Sequence, residues 1–144
     1  MIKKELQATL KTYPVQVTEE IIWGDMDAFA HVNNTVYFRY FESARMAFMV
    51  KTSMLDILEQ SNTGPILAST SCDFRAPLTY PDTIHIGARV MDIQQRKISM
   101  EYIVISEKLN KVAAEGAGLM VYYDYAVGKA CSVPESIVVA IKSL

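Results

Sequence analysis

From Asn34 to about Glu59 the chain runs without proline or glycine, and apolar residues recur at three- and four-residue steps. That spacing predicts one long helix. Tyr37, Phe41, Ala44 and Phe48 share a stripe, with Val36, Tyr40, Ala47, Val50 and Met54 beside it, while Arg39, Glu42 and Arg45 form a narrower charged strip. A helix greasy over most of its circumference has to be enclosed. A chain of 144 residues is the size of one domain with one core, so residues 1–144 are read as a single unit.

The enclosing element is legible on either side. Pro14 to Trp23 reads as a first strand, and Ser61-Asn62-Thr63-Gly64-Pro65 reads as the turn that ends the helix. Four strand-like segments follow, Ile66 to Ala76, Thr83 to Ile93, Lys97 to Lys108 and Val112 to Tyr123, with no second helical pattern between them. The segment from Thr83 alternates, with Ile84, Ile86, Ala88 and Val90 on one face and Thr83, His85, Gly87 and Arg89 on the other. Ile98, Met100, Tyr102 and Val104 likewise fall together. The last segment carries Ala113, Ala114, Gly116, Ala117 and Gly118, small enough for a helix to lie close. Pro134 to Leu144 reads as a short terminal helix. The expected class is α+β, a five-stranded antiparallel sheet wrapped around one long central helix. Its open edges need cover, and edge-to-edge pairing of two copies is the simplest solution.

Composition removes several classes of function. Half of the chain is apolar and the formal charge is only −2, with no basic cluster, so neither a nucleic-acid surface nor an electrostatic membrane anchor is expected. Met1 to Thr12 lacks the apolar run of a signal peptide, and no stretch approaches a membrane span. Cys72 and Cys131 show no metal-ligand spacing, which suits reduced thiols in a cytoplasmic protein.

The chemistry concentrates between the first strand and the helix, in Trp23-Gly24-Asp25-Met26-Asp27-Ala28-Phe29-Ala30-His31-Val32-Asn33-Asn34. A carboxylate beside a helix N-terminus can direct attack on one face of a carbonyl while the unpaired N–H groups polarise its oxygen. Asp27 also fits a plain hydrogen-bonded turn, and Asn34 a plain helix cap. His31 is able to orient a water or to contact substrate, although a lone turn histidine more often serves as a hydrogen-bonding fixture. Asp25 reads as a residue that fixes the turn. Asp25, Asp27 and His31 alone do not make a metal site, because no second His or Cys cluster supports them.

The segment Asp25 to Asn34, with Tyr37, Phe41-Glu42 and Ala44-Arg45, resembles the hotdog-fold acyl-CoA thioesterases of the 4-hydroxybenzoyl-CoA thioesterase type. Asp73-Phe74-Arg75-Ala76-Pro77-Leu78 with Pro81-Asp82, and Lys129 with Val133-Pro134, are similar to later parts of the same family, so the resemblance covers nearly the whole chain. It implies Asp27 as nucleophile or general base and the Asn34 backbone N–H as oxyanion donor. His31 is a third catalytic candidate, and Asn33, Tyr37, Phe74 and Arg75 are candidate substrate-binding residues. Arg75, Arg89 and Arg96 are candidates for the coenzyme A phosphates. One departure stands out. The family usually has glycine where this chain has Ala30, and alanine disfavours positive φ, which puts the backbone path of the turn in question.

The expected function is hydrolysis of an acyl- or aryl-CoA to the free acid and coenzyme A by a homodimer or tetramer. No metal or other cofactor is expected, coenzyme A being part of the substrate. A hydratase or dehydratase on the same fold is the alternative enzyme. A non-catalytic acyl-CoA-binding module is the alternative outside enzymes.

Overall fold

The computed structural model describes residues 1–144. Helix α1 (Lys4–Lys11) leads into strand β1 (Val15–Glu20), and a single 3-10 turn at Trp23–Asp25 precedes helix α2 (Asn34–Lys51). Helix α3 (Met54–Ser61), strands β2 (Thr63–Phe74), β3 (Thr83–Ile93), β4 (Lys97–Ser106), β5 (Lys111–Asp124) and the two-residue β6 (Lys129–Ala130), then helix α4 (Glu135–Lys142), complete the chain. All strand pairs are antiparallel, in the order β1-β3-β4-β5-β2, with β6 added to β5. The sheet curls around α2, which touches β1, β2, β3 and β4.

The core forms where the alternating faces meet the helix. Ile84, Ile86 and Ala88 of β3, Ile98, Met100, Tyr102 and Val104 of β4, and Tyr40, Phe41, Ala44 and Phe48 of α2 are all buried in one cluster. Phe41 stacks on Tyr102 at 5.0 Å between ring centres. Gly116 makes room for that pair: a Cβ there would stand 2.3 Å from the Phe41 ring. The small residues of β5 therefore admit a helix side chain rather than the helix backbone alone.

Three features depart from the sequence reading. The long helix is two helices. Thr52 closes α2 with its N–H and hydroxyl both bonded to Phe48 O (3.1 and 2.9 Å), and Ser53 turns left-handed (φ 63°) before α3 begins. No proline or glycine marks this break. Next, Ser61 to Pro65 is not a turn. Asn62, also left-handed (φ 58°), ends α3, and β2 begins at once with Gly64 and Pro65 inside it. Proline is tolerated because β2 is the sheet's edge. Within the expected bounds Pro14 to Trp23, β1 itself spans Val15–Glu20.

The third departure is α1 itself. Its Leu6 and Leu10, with Ile2 and Tyr13, form a second small core against Ile103 and Ile105, the outward residues of β4. Gly87 lies beneath Tyr13, where a Cβ would come within 2.7 Å of that side chain. The terminal helix at Pro134 is present as expected, with Ile137 and Ile141 buried. No helix is long and apolar enough to cross a membrane.

Candidate active site

The polar segment between β1 and α2 folds into a small loop pinned at its base. Met26 bridges Val32, the Asp27 N–H donates to His31 O (2.8 Å), and the Asn33 N–H donates to Asp25 O (3.0 Å). At the tip the Ala30 N–H donates to Asp27 O (3.0 Å), and Ala30 takes the left-handed conformation at φ 61°. The glycine-type backbone path is thus kept with an alanine in it. The Val32 N–H donates to Leu78 O (2.8 Å), which ties the loop to the turn after β2.

Each polar residue has a defined place. One Asp27 carboxylate oxygen accepts the Phe29 N–H at 2.8 Å, so the side chain is oriented and its other oxygen makes no bond within the chain. Asn33 is the cap of α2: its side-chain oxygen accepts the Thr35 N–H and hydroxyl, both at 3.0 Å. Asn34 is the first helical residue, where a backbone N–H has no intrahelical acceptor. Both turn and helix start, the plain readings of these residues, are therefore realised alongside a free carboxylate oxygen and a free N–H. The Asp25 carboxylate is gripped by both terminal nitrogens of Arg39, one of them at 3.3 Å from its oxygen. That clamp between loop and helix was not legible in the sequence, where Arg39 reads as part of a charged strip.

Asp27, His31, Asn34, Tyr37, Phe74 and Arg75 line one cleft of about 480 Å³, together with Phe29, Val32, Ala76 and Pro77. Clefts of comparable size open elsewhere, but none of them sets a carboxylate beside the start of α2. Asn33 lies just outside, occupied by its capping bonds. Tyr37 is buried, with its hydroxyl between Ala76 O (3.4 Å) and the Leu78 N–H (3.2 Å) and its ring edge-on to Phe74 at 5.0 Å. Burial pushes its phenol above the ordinary value, which keeps it a neutral donor. Tyr37 thereby fixes the cleft wall. Phe29, 81% exposed, is a lining residue the sequence reading did not single out; its signal was a large apolar side chain within a polar loop. Arg75 reaches the Glu115 carboxylate at 3.1 Å. Arg89 lies far from the cleft, stacked on Tyr13 and bonded to the Thr12 hydroxyl at 2.9 Å. Nowhere do three His, Cys, Asp or Glu side chains gather as a metal cluster would require.

A single antiparallel sheet curled on a helix, with a polar loop delivering a carboxylate to that helix's first turn, defines a hotdog-fold protein. The chain belongs to the thioesterase-like superfamily, whose family model matches residues 21–141, and its class is that of the thioester hydrolases. It is 26% identical over 119 residues to a protein of Aquifex aeolicus provisionally named an esterase, covering 82% of this chain and 90% of that one. Among solved structures it is similar to a thioesterase from Thermus thermophilus complexed with coenzyme A and Zn: 27% identity, TM-score 0.80, covering 91% of this chain and 93% of the other. A 1,4-dihydroxy-2-naphthoyl-CoA thioesterase from Synechocystis shares the fold at 15% identity and a TM-score of 0.79, over 90% of this chain and 96% of its own.

Proposed function

We propose that the chain hydrolyses acyl-CoA thioesters at the cleft between the Asp27 loop and the start of α2. One observation carries the reading: Asp27, one of whose carboxylate oxygens is unbonded within the chain, and Asn34, the first residue of α2, line the same cleft. With the thioester oxygen against the Asn34 N–H, the helix terminus stabilises the negative charge that develops on attack. Asp27 either adds to the carbonyl carbon, giving an anhydride that water then cleaves, or takes a proton from the attacking water. In both routes the C–S bond breaks, coenzyme A leaves as thiol, and the acid is released. His31, on the same rim, is suited to hold the water. Phe74, held edge-on by Tyr37, would flank the acyl group, and Arg75 is placed to meet coenzyme A at the cleft mouth.

The deciding assay is thiol release from aryl-, medium- and long-chain acyl-CoAs by wild type and Asp27→Asn. Loss of at least about a hundredfold in kcat with binding retained is expected, in line with removal of an essential base or nucleophile. Turnover by Asp27→Asn at the wild-type rate would refute the assignment. Because His31 shares the cleft, hydration of enoyl-CoA is measured beside it. Hydration without thiol release would favour the hydratase, and tight binding without either reaction the acyl-CoA-binding module.

The active form we infer is a homodimer. β2 is an unpaired edge with Ile66, Leu67 and Phe74 each about two-fifths exposed, the kind of strand that folded proteins pair or cover. We place it in the cytoplasm, where Cys72 and Cys131, both free, stay reduced.

A further inference from the structure

The loop that carries Asp27 is closed on itself. Met26 bridges Val32, the Asp27 N–H donates to His31 O (2.8 Å), and the Asn33 N–H donates to Asp25 O (3.0 Å), so residues 25–33 form one unit. The Val32 N–H donates to Leu78 O (2.8 Å) and the Tyr80 N–H to the Met26 sulfur (3.5 Å), which hold that unit to the turn after β2. Toward α2 the tie is different. Asn33 serves the first turn of the helix as its cap. Past that turn, the bond from the loop to α2 is the pair of Asp25 with Arg39.

That pair has the geometry of a brace. Arg39 lies five residues beyond Asn34, about 7.5 Å along the helix axis, while Asp25 stands at the base of the loop. An attachment at the cap alone leaves the loop able to pivot where residues 33 and 34 join. A second attachment, away from that junction, fixes the angle. Both terminal nitrogens of the guanidinium engage the carboxylate, and a two-point grip sets direction as well as distance. Neither group has another ion-pair partner. The Arg39 side chain is half-exposed, and an ion pair that meets water contributes little to global stability. Arg39 is also absent from the lining of the Asp27 cleft.

We propose that Arg39 is a positioning residue for thioester hydrolysis. Through Asp25 it sets the angle of the Asp27 loop against the start of α2, and with it the placing of the Asp27 carboxylate relative to the Asn34 N–H. The inference rests on the thioesterase reading and adds to it a residue that acts without touching substrate. A displacement of about 1 Å between reacting groups lowers a rate by up to roughly a hundredfold, so a pair of small energetic weight has a large effect on turnover. Arg39→Met keeps much of the stem and removes the brace. Arg39→Lys leaves a point charge that attracts Asp25 without fixing its direction.

The test measures kcat, KM and thermal melts for wild type, Arg39→Met, Arg39→Lys, Asp25→Asn and the double variant Asp25→Asn/Arg39→Met. The substrate is the acyl-CoA that wild type cleaves fastest. Arg39→Met is expected to lose at least about tenfold in kcat, with KM within about threefold of wild type and a near-unchanged melt. Arg39→Lys should regain part of kcat. The double variant should be no slower than the slower single one, as for two residues that act as one unit. Amide exchange at Val32 and Asn33 should quicken in Arg39→Met. Wild-type kcat in folded Arg39→Met, losses that multiply in the double variant, or a loss confined to KM overturns the proposal; the last would make Arg39 a contact for coenzyme A. If Arg39→Met fails to fold, Asp25→Asn, which keeps the shape of the side chain, reads the same kcat. If wild type cleaves no thioester, the hydrolase reading falls and exchange judges Arg39 separately: unchanged protection of Val32 and Asn33 in Arg39→Met overturns the brace.

Discussion

Ala30 carries a conformational penalty within the loop between β1 and α2. Its φ of 61° crowds Cβ against the following carbonyl, which for an L-residue costs roughly 1–2 kcal/mol. Glycine removes that cost but adds freedom to the unfolded chain, so Ala30→Gly should raise stability by about 1 kcal/mol or somewhat less. Urea denaturation should show a higher midpoint at unchanged m. A lower midpoint would mean that the methyl group packs usefully in the loop. A second residue-scale effect belongs to Glu107, whose carboxyl is held below its ordinary value chiefly by the bond from His85 at 2.7 Å. A depressed carboxyl contributes stability above its unfolded pKa and loses it as pH falls through the lower folded value. Glu107→Gln should therefore lose less stability than wild type between pH 7 and pH 3. Parallel denaturation curves at the two pH values check this, and equal losses would contradict it.

At the scale of elements, the approach of Phe41 to Gly116 helps to set how closely α2 lies against the sheet and hence where its N-terminus points. Phe41 occupies the space that any side chain at position 116 would need. Gly116→Ala should cost about 1–3 kcal/mol through overpacking and lower kcat by tilting the Asn34 N–H from the cleft. Phe41→Leu in the same background should recover part of the loss, a coupling that a double-mutant cycle reads directly. Additive effects would show that the helix moves independently of that contact. The Asp25–Arg39 clamp works at the same scale, since it joins the loop that holds Asp27 to α2.

The whole molecule leaves its sheet open at two edges, β1 and β2, while α1 packs on its outer face. Helix α1 covers the β3–β4 region through Ile2, Leu6, Leu10 and Tyr13, while β2 keeps Ile66, Leu67 and Phe74 exposed along an open edge. Folding linked to dimerisation makes the melting temperature depend on protein concentration. A rise across a hundredfold concentration range is expected, together with a dimer mass by light scattering. A concentration-independent melt and a monomer mass would contradict the homodimer.

Periodicity and turn chemistry determined the central helix as a kind of element, the alternating faces of β3 and β4, and the place of the polar loop. These signals are local, carried within a few residues of each other. Asp27, His31, Asn34, Tyr37, Phe74 and Arg75 were nameable before any coordinates, by their residue types and by the resemblance they carry. What the chain left open depends on partners distant in sequence. The break falls where Ser53 takes a left-handed backbone with no proline or glycine to signal it, and α1 forms because Ile103 and Ile105, about a hundred residues later, offer it an apolar bed. Arg45 reads as part of a charged strip by spacing and is buried where α2 meets Tyr102 of β4. Local pattern determines which element forms; burial, and with it the chemistry of a charge, is decided only when the sheet wraps the helix.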